Sequence, residues 1–161
     1  MSVELTIHNR QRTRTVDVRL LRQITKELLS ALLDLEEVEL GVTLVAASEM
    51  ARINWRFLQH EGSTDVITFD HTKTQLSRRK SAVARRNISG ELFICVDDAL
   101  VQAKSFRTTW QAELVRYIVH GVLHLLGHDD HHPAQRKRMK REENRLVRRL
   151  ATRFDLRKLG K

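Results

Sequence analysis

One cysteine, one proline and six glycines among 161 residues leave this chain few covalent or conformational devices. A lone Cys95 excludes an intrachain disulfide and suits a reducing compartment, and its apolar neighbours mark it as a small core residue. No apolar run approaches the length of a membrane-spanning helix. The opening Met1-Ser-Val-Glu-Leu-Thr-Ile-His8 lacks a basic region followed by an apolar core, so it does not read as a secretory signal. A cytoplasmic protein with no membrane partner is expected. No repeat, low-complexity tract or linker divides the chain, and residues 1–161 read as a single domain. Acidic residues are also scarce: 20 Asp and Glu against 29 Lys and Arg give a net charge of +9 and a pI near 10.4. Such a balance favours a polyanionic partner, and nucleic acid is the commonest.

Alternation of apolar and polar residues predicts strands at Val3 to Ile7 and at Val38 to Leu44. Between them Leu21, Ile24, Leu28 and Leu32 form the stripe of an amphipathic helix, with Thr15 as its expected N-cap and an end near Asp34. Ser48 is expected to open a short helix with Met50, Ile53 and Phe57 on one side and Arg56 near its end. Turn chemistry at Gly62 to Asp65 precedes a third strand, Val66 to Phe69. From Asp70 to Asn87 periodicity is lost and Arg78, Arg79, Lys80, Arg85 and Arg86 accumulate, reading either as a solvated loop or as an RNA-contacting one. Gly90 to Val96 is a continuous apolar run, the pattern of a strand buried on both faces. Asp97 or Asp98 is expected to cap a helix beginning around Ala99. Pro133 suits the first turn of a final helix with Met139, Leu146, Leu150 and Phe154 toward the core. Its other faces are basic, from Arg136 to Arg153, in an excess that favours phosphate contact.

The chemistry concentrates in His120-Gly-Val-Leu-His124-Leu-Leu-Gly127-His128-Asp129-Asp130-His131-His132. Helical positions four apart share a face, so His120 and His124 can direct two imidazoles at one metal ion. Two such histidines are commonly plain surface or core residues. Here they lie with Glu113 and Arg116 in a narrow polar stripe on an otherwise apolar helix, and buried polar groups need partners. Gly127 can end the helix in the left-handed region, which lets Asp130 approach the same ion. Three ligands with an open fourth position describe a catalytic zinc. The zinc-protease pattern H-E-x-x-H requires a glutamate after the first histidine as general base; this chain has Gly121.

Taken together, Asn54-Trp-Arg56, Ser63-Thr-Asp-Val-Ile-Thr-Phe69, Gly90-Glu-Leu-Phe-Ile94 and His120 to Asp129 resemble the YbeY family, bacterial rRNA maturation factors described as metal-dependent endoribonucleases. The resemblance implies an α+β fold, a small mixed four-stranded sheet packed against about five helices with a zincin-like metal site. It also implies one zinc per chain and cleavage of single-stranded RNA in 16S rRNA 3′-end maturation and small-subunit quality control. The expected partners are then an rRNA precursor and the small ribosomal subunit, with no role for DNA. Arg56 matches the family's catalytic arginine, a phosphate clamp, and His120 and His124 its catalytic metal site. The family usually has a third histidine where this chain has Asp130. Zinc accepts a carboxylate oxygen, so Asp130 is the expected third ligand, with His131 the alternative and His132 left to cap the final helix. Thr64, Asp65 and Thr68 receive no chemistry, and His128 either faces the site or packs. A zinc peptidase and a non-catalytic, zinc-stabilised ribosome-assembly module are the rival readings.

Overall fold

The computed structural model describes residues 2–71 and 86–161. The four expected strands are β1 (Ser2–Asn9), β2 (Glu37–Val45), β3 (Val66–Asp70) and β4 (Asn87–Cys95). They form one sheet in the order β1-β2-β4-β3. Both β1 and β4 run parallel to β2, whereas β3 is antiparallel to β4 and lies at an edge. Five α-helices accompany the sheet among the described residues: α1 (Val18–Glu27), α2 (Ala47–Ile53), α3 (Val96–Phe106), α4 (Trp110–Leu125) and α5 (Pro133–Arg153). The expected mixed α+β architecture is present.

The alternation along β4 assigns its two faces. Ile88, Leu92 and Ile94 join the main core with α1, α4 and α5, while Cys95 packs with Val45, Met50 and Ile67 in a smaller cluster that Phe93 and Phe69 flank. Both faces of the strand are covered, as its apolar run predicts, and Cys95 is a buried core thiol whose pKa burial pushes up.

Helix starts differ from the expected caps. Asp17, not Thr15, caps α1, accepting from the Leu20 N–H at 3.0 Å. Neither Asp97 nor Asp98 caps α3, which begins at Val96. Asp97 instead accepts from the Ala47 N–H at 2.6 Å, satisfying a first-turn donor of α2 from another helix. Asp98 accepts from the Ser63 hydroxyl at 3.2 Å. His132 does occupy the position before Pro133, but its side chain makes no capping hydrogen bond. After α2 the backbone widens into a π-type turn, Asn54–Leu58, and this change of winding carries Phe57 away from Met50 and Ile53. Phe57 is therefore 56% exposed. Arg78, Arg79, Lys80 and Arg85 of the basic segment lie outside the described residues; Arg86 is engaged by Asp34 at 2.8 Å and Glu36 at 3.0 Å.

The approach of α4 to the sheet is set by two glycines. A Cβ on Gly121 would stand 2.5 Å from Leu92 Cδ2, and one on Gly90 would stand 2.6 Å from the Phe69 carbonyl oxygen and 2.7 Å from Leu125 Cδ2. Because Leu92 is fully buried, it has little room to yield. Gly121→Ala sets an overpacking cost of about 1–3 kcal/mol against a helix-propensity gain of up to about 1 kcal/mol. The expected outcome is a net loss of about 1–2 kcal/mol, seen as a fall in Tm of roughly 2–8 °C by calorimetry; an unchanged or raised Tm would show that the contact with Leu92 is loose.

Candidate metal centre

Thr109 opens α4, its hydroxyl accepting from the Ala112 N–H at 3.2 Å. At the other end Gly127 adopts φ +99°, and two bonds close the helix: Gly127 N–H to His124 O and His128 N–H to Leu123 O, each at 3.0 Å. This pair is the Schellman arrangement. It reverses the chain so that Asp130 returns toward the last turn, as the position of Gly127 predicts, and the Arg136 side chain donates to the Asp130 carbonyl at 3.2 Å.

Three side chains converge there. His120 Nε2 and His124 Nε2 are 3.1 Å apart, and His124 Nε2 is 3.6 Å from Asp130 Oδ2. One ligand atom from each of the three residues lies within 4.8 Å of the others. Neighbouring ligands on a tetrahedral zinc with bonds of about 2.0–2.1 Å would be separated by about 3.3 Å, which the two shorter distances bracket. His131 does not join them: its side chain is 82% exposed and its Nε2 stands 3.6 Å from Asp129 Oδ1. The backbone N–H of His131 also donates to Asp129 Oδ1 at 3.0 Å, the hydrogen bond that holds the Asp129 carboxyl below its ordinary value.

The hydrogen bonds on the far side of each imidazole fix the near side. His124 Nδ1 faces the His128 carbonyl oxygen at 3.2 Å, and a carbonyl can only accept, so Nδ1 carries the proton. His120 Nδ1 faces Glu143 Oε1 at 2.7 Å. Burial pushes the Glu143 carboxyl up, but hydrogen bonds from His120, Lys140 and Arg116 outweigh it and hold the group at about 2, so it is an ionised acceptor. Burial and the neighbouring His120 press His124 below its ordinary value, toward the neutral form. The two Nε2 atoms are thereby turned toward one another, 3.1 Å apart. A metal ion there would take both of them, and a donor set of two imidazoles and a carboxylate suits zinc.

The spacing alone did not reveal Glu143. It lies 23 residues beyond His120 on α5, is 3% exposed, and receives Arg116 at 2.7 Å and Lys140 at 3.0 Å on its other oxygen. A signal was present, since Glu143 falls on the core-facing stripe with Met139 and Leu146 in an otherwise basic helix.

An open cleft of about 760 Å³ lies over the site, with Asp65, Val66, Ile67 and Thr68 on one wall and His120, His124 and the Gly127 to His131 segment on the other. The start of β3 thus lines the cleft, and so does His128. Arg56 does not. It is exposed, with its guanidinium 5.5 Å from the centre of the Phe57 ring, although Leu58 two residues on reaches the cleft.

Fold and site together define a class: a mixed α+β protein presenting to an open cleft a candidate ligand set of two histidines from a buried helix and one aspartate from the segment after it. The particular family follows from comparison with known proteins. The model of the family described as Endoribonuclease YbeY matches residues 6–151, and the chain belongs to that family. An endoribonuclease YbeY from Chlorobium luteolum is 31% identical over 92% of this chain and 98% of its own length. Another, from Parabacteroides distasonis, is 39% identical over a shorter stretch, 62% of each chain. The solution structure of a Thermotoga maritima protein shares the fold at TM-score 0.63 and 23% identity, covering 91% of this chain and 89% of that one.

Glu143 links the site to acid stability. Its folded value of about 2 lies below the ordinary 4.5, so its stabilisation is complete above about pH 4.5 and is lost as pH falls toward 2. The size is on the order of 3 kcal/mol. Urea unfolding at a series of pH values should show Glu143→Gln less stable than wild type by about 2–3 kcal/mol at pH 7, with the gap closing between pH 4.5 and 2. A gap that persists at pH 2 would place the effect in packing instead.

Proposed function

We propose that this protein is a metal-dependent endoribonuclease cutting single-stranded RNA in the cytoplasm, in maturation of the 16S rRNA 3′ end and quality control of the small ribosomal subunit. Family membership supports the endoribonuclease role. The observation that carries the metal dependence is the convergence of His120, His124 and Asp130 at the floor of an open cleft. When bound, a zinc ion supplies Lewis acidity for a phosphodiester.

The chain's own groups divide the remaining tasks. His120 and His124 offer their Nε2 lone pairs, and Glu143 and the His128 carbonyl hold the rings in that orientation. Asp65 brings a carboxylate from outside the ligand set to the cleft wall, in the place of the proton acceptor that Gly121 does not provide. Arg56, exposed and outside the cleft lining, is the candidate to meet a phosphate of the bound RNA with a guanidinium that pairs two oxygens at once. Arg136, Lys137, Arg138, Arg141, Arg148 and Arg149 are all solvent-facing on α5 and offer contacts along the RNA backbone.

A zinc peptidase is disfavoured by packing as well as chemistry, because a glutamate at position 121 would be driven into Leu92. An assembly module without catalysis makes a different prediction: RNA binding with no cutting.

Purified protein should cleave a single-stranded RNA, and a folded His124→Ala variant of the same preparation history should be slower by at least a hundredfold, roughly the loss of a metal's contribution. Chelation should abolish cleavage and added zinc restore it. If neither protein cuts while both bind RNA, the assembly-module reading replaces this one. Arg56→Ala should cleave about tenfold or more slowly, the scale of one charge-stabilising contact; cleavage at the wild-type rate would remove Arg56 from the mechanism.

A further inference from the structure

A second cavity, of about 310 Å³, adjoins the metal centre and shares Asp65, His120 and Asp130 with it. From His120 it extends along α4 past Arg116 and Tyr117 to Glu113, seven residues away and so about 10 Å along the helix. Gln102 and Phe106 of α3 form another part of its lining. The proposed chemistry of cleavage uses the shared wall of Asp65, His120 and Asp130, and not the part of the cavity that Glu113 and Phe106 line.

Two features of the lining stand out. The Glu113 side chain is only 8% exposed, yet it accepts no hydrogen bond among the described residues; Arg116 Nε stands 4.0 Å away, outside hydrogen-bond reach. The Arg116 guanidinium is spent elsewhere, donating to Glu143 and Asn144 at 2.7 Å each. Burial pushes the Glu113 carboxyl above its ordinary value, and Arg116 and Lys140 offset part of the rise. A mostly buried carboxyl that opens onto this cavity has acceptor sites that a ligand's N–H groups would fill. The second feature is Phe106, 70% exposed, a ring offered to solvent at the same cavity.

A carboxylate selects against phosphate and for hydrogen-bond donors, and an exposed aromatic ring stacks on a flat partner. Unpaired bases in single-stranded RNA combine both properties. Among the four, guanine alone presents two adjacent donors, N1–H and N2–H, matching two carboxylate oxygens. Adenine and cytosine offer an amino group beside a ring acceptor, and uracil one N–H between two carbonyls.

We propose that this cavity is a base-binding subsite that takes a guanine beside the cut phosphodiester, with the Glu113 carboxylate reading its Watson–Crick edge and Phe106 stacking on it. The subsite gives the endonuclease a sequence preference, and in that respect it rests on the endoribonuclease reading above.

Mononucleotides, which offer no internal bond to cut, test it independently of catalysis. Guanosine, adenosine, cytidine and uridine 5′-monophosphates are titrated into the as-purified protein and followed by chemical shifts. Wild type should bind the guanosine nucleotide roughly tenfold more tightly than the others, the scale of one paired base contact, and in Glu113→Gln that ratio should fall to near one. Phe106→Ala, at an exposed position, should weaken all four alike. Equal binding of the four nucleotides by wild type, a guanosine preference that survives Glu113→Gln, or an unchanged guanosine affinity in Phe106→Ala would each overturn the subsite. In parallel, RNAs differing only in the base beside the cut are assayed for cleavage. Guanosine-selective binding without cleavage of any RNA would remove the endoribonuclease reading and leave the subsite standing.

Discussion

The seating of α4 on β4 is the contact on which the site depends. Gly121 and Gly90 let the helix and the sheet approach until Leu92 and Leu125 fill the space that side chains at those positions would take. A helix buried around most of its circumference has one rotational setting, and here that setting leaves Glu113, Arg116, His120 and His124 as the stripe turned toward the two cavities. Glycine next to the first histidine is thus a packing requirement and a chemical statement together. The position at which a zinc peptidase carries its general base is the one that this fold presses against the sheet.

The second constraint is electrostatic and comes from α5. Placing the Glu143 carboxylate in a nearly dry setting is costly, and three donors from His120, Arg116 and Lys140 offset the cost. The arrangement ties α4 to α5 and sets the His120 ring in the tautomer that leaves Nε2 able to bind an ion. The geometry of the candidate metal ligands is consequently coupled to the packing of two helices and not to the ligand loop alone.

Much of this was legible in the sequence, for identifiable reasons. Period-two alternation located β1 and β2, β-branched residues after a turn marked β3 and a continuous apolar run marked β4, and the spacing of His120, His124, Gly127 and Asp130 is local enough that one helix and one turn bring the three candidate ligands together. What failed was longer in range or depended on a change of winding. The π-type turn after Ile53 put Phe57 into solvent, which no average helical period anticipates. Asp97 satisfies a neighbouring helix in place of its own, because the two chain segments meet only in the fold. Glu143 carries no mark of its partner His120 in sequence; only its place on an apolar stripe hinted at burial.

Glu113 and Glu143 make an instructive pair, since both are buried carboxyls on the same groove. One is saturated by three donors and held strongly acidic; the other accepts none among the described residues and is pushed the opposite way. The first is the mark of a group that orients structure, and the second fits the proposed role of Glu113 as a group that takes a ligand's donors. The charge distribution follows the same division. Exposed basic side chains lie on the outer faces of α5, where contacts with phosphates give affinity without regard to sequence. The second cavity mixes Asp65, Glu113, Asp130 and Glu143 with Arg116, Arg136 and Lys140, a lining that cancels most of its own charge and so suits discrimination by hydrogen-bond pattern. Apart from Arg136, which belongs to both, binding strength and base selection are thereby assigned to different surfaces, and substitutions on one need not disturb the other.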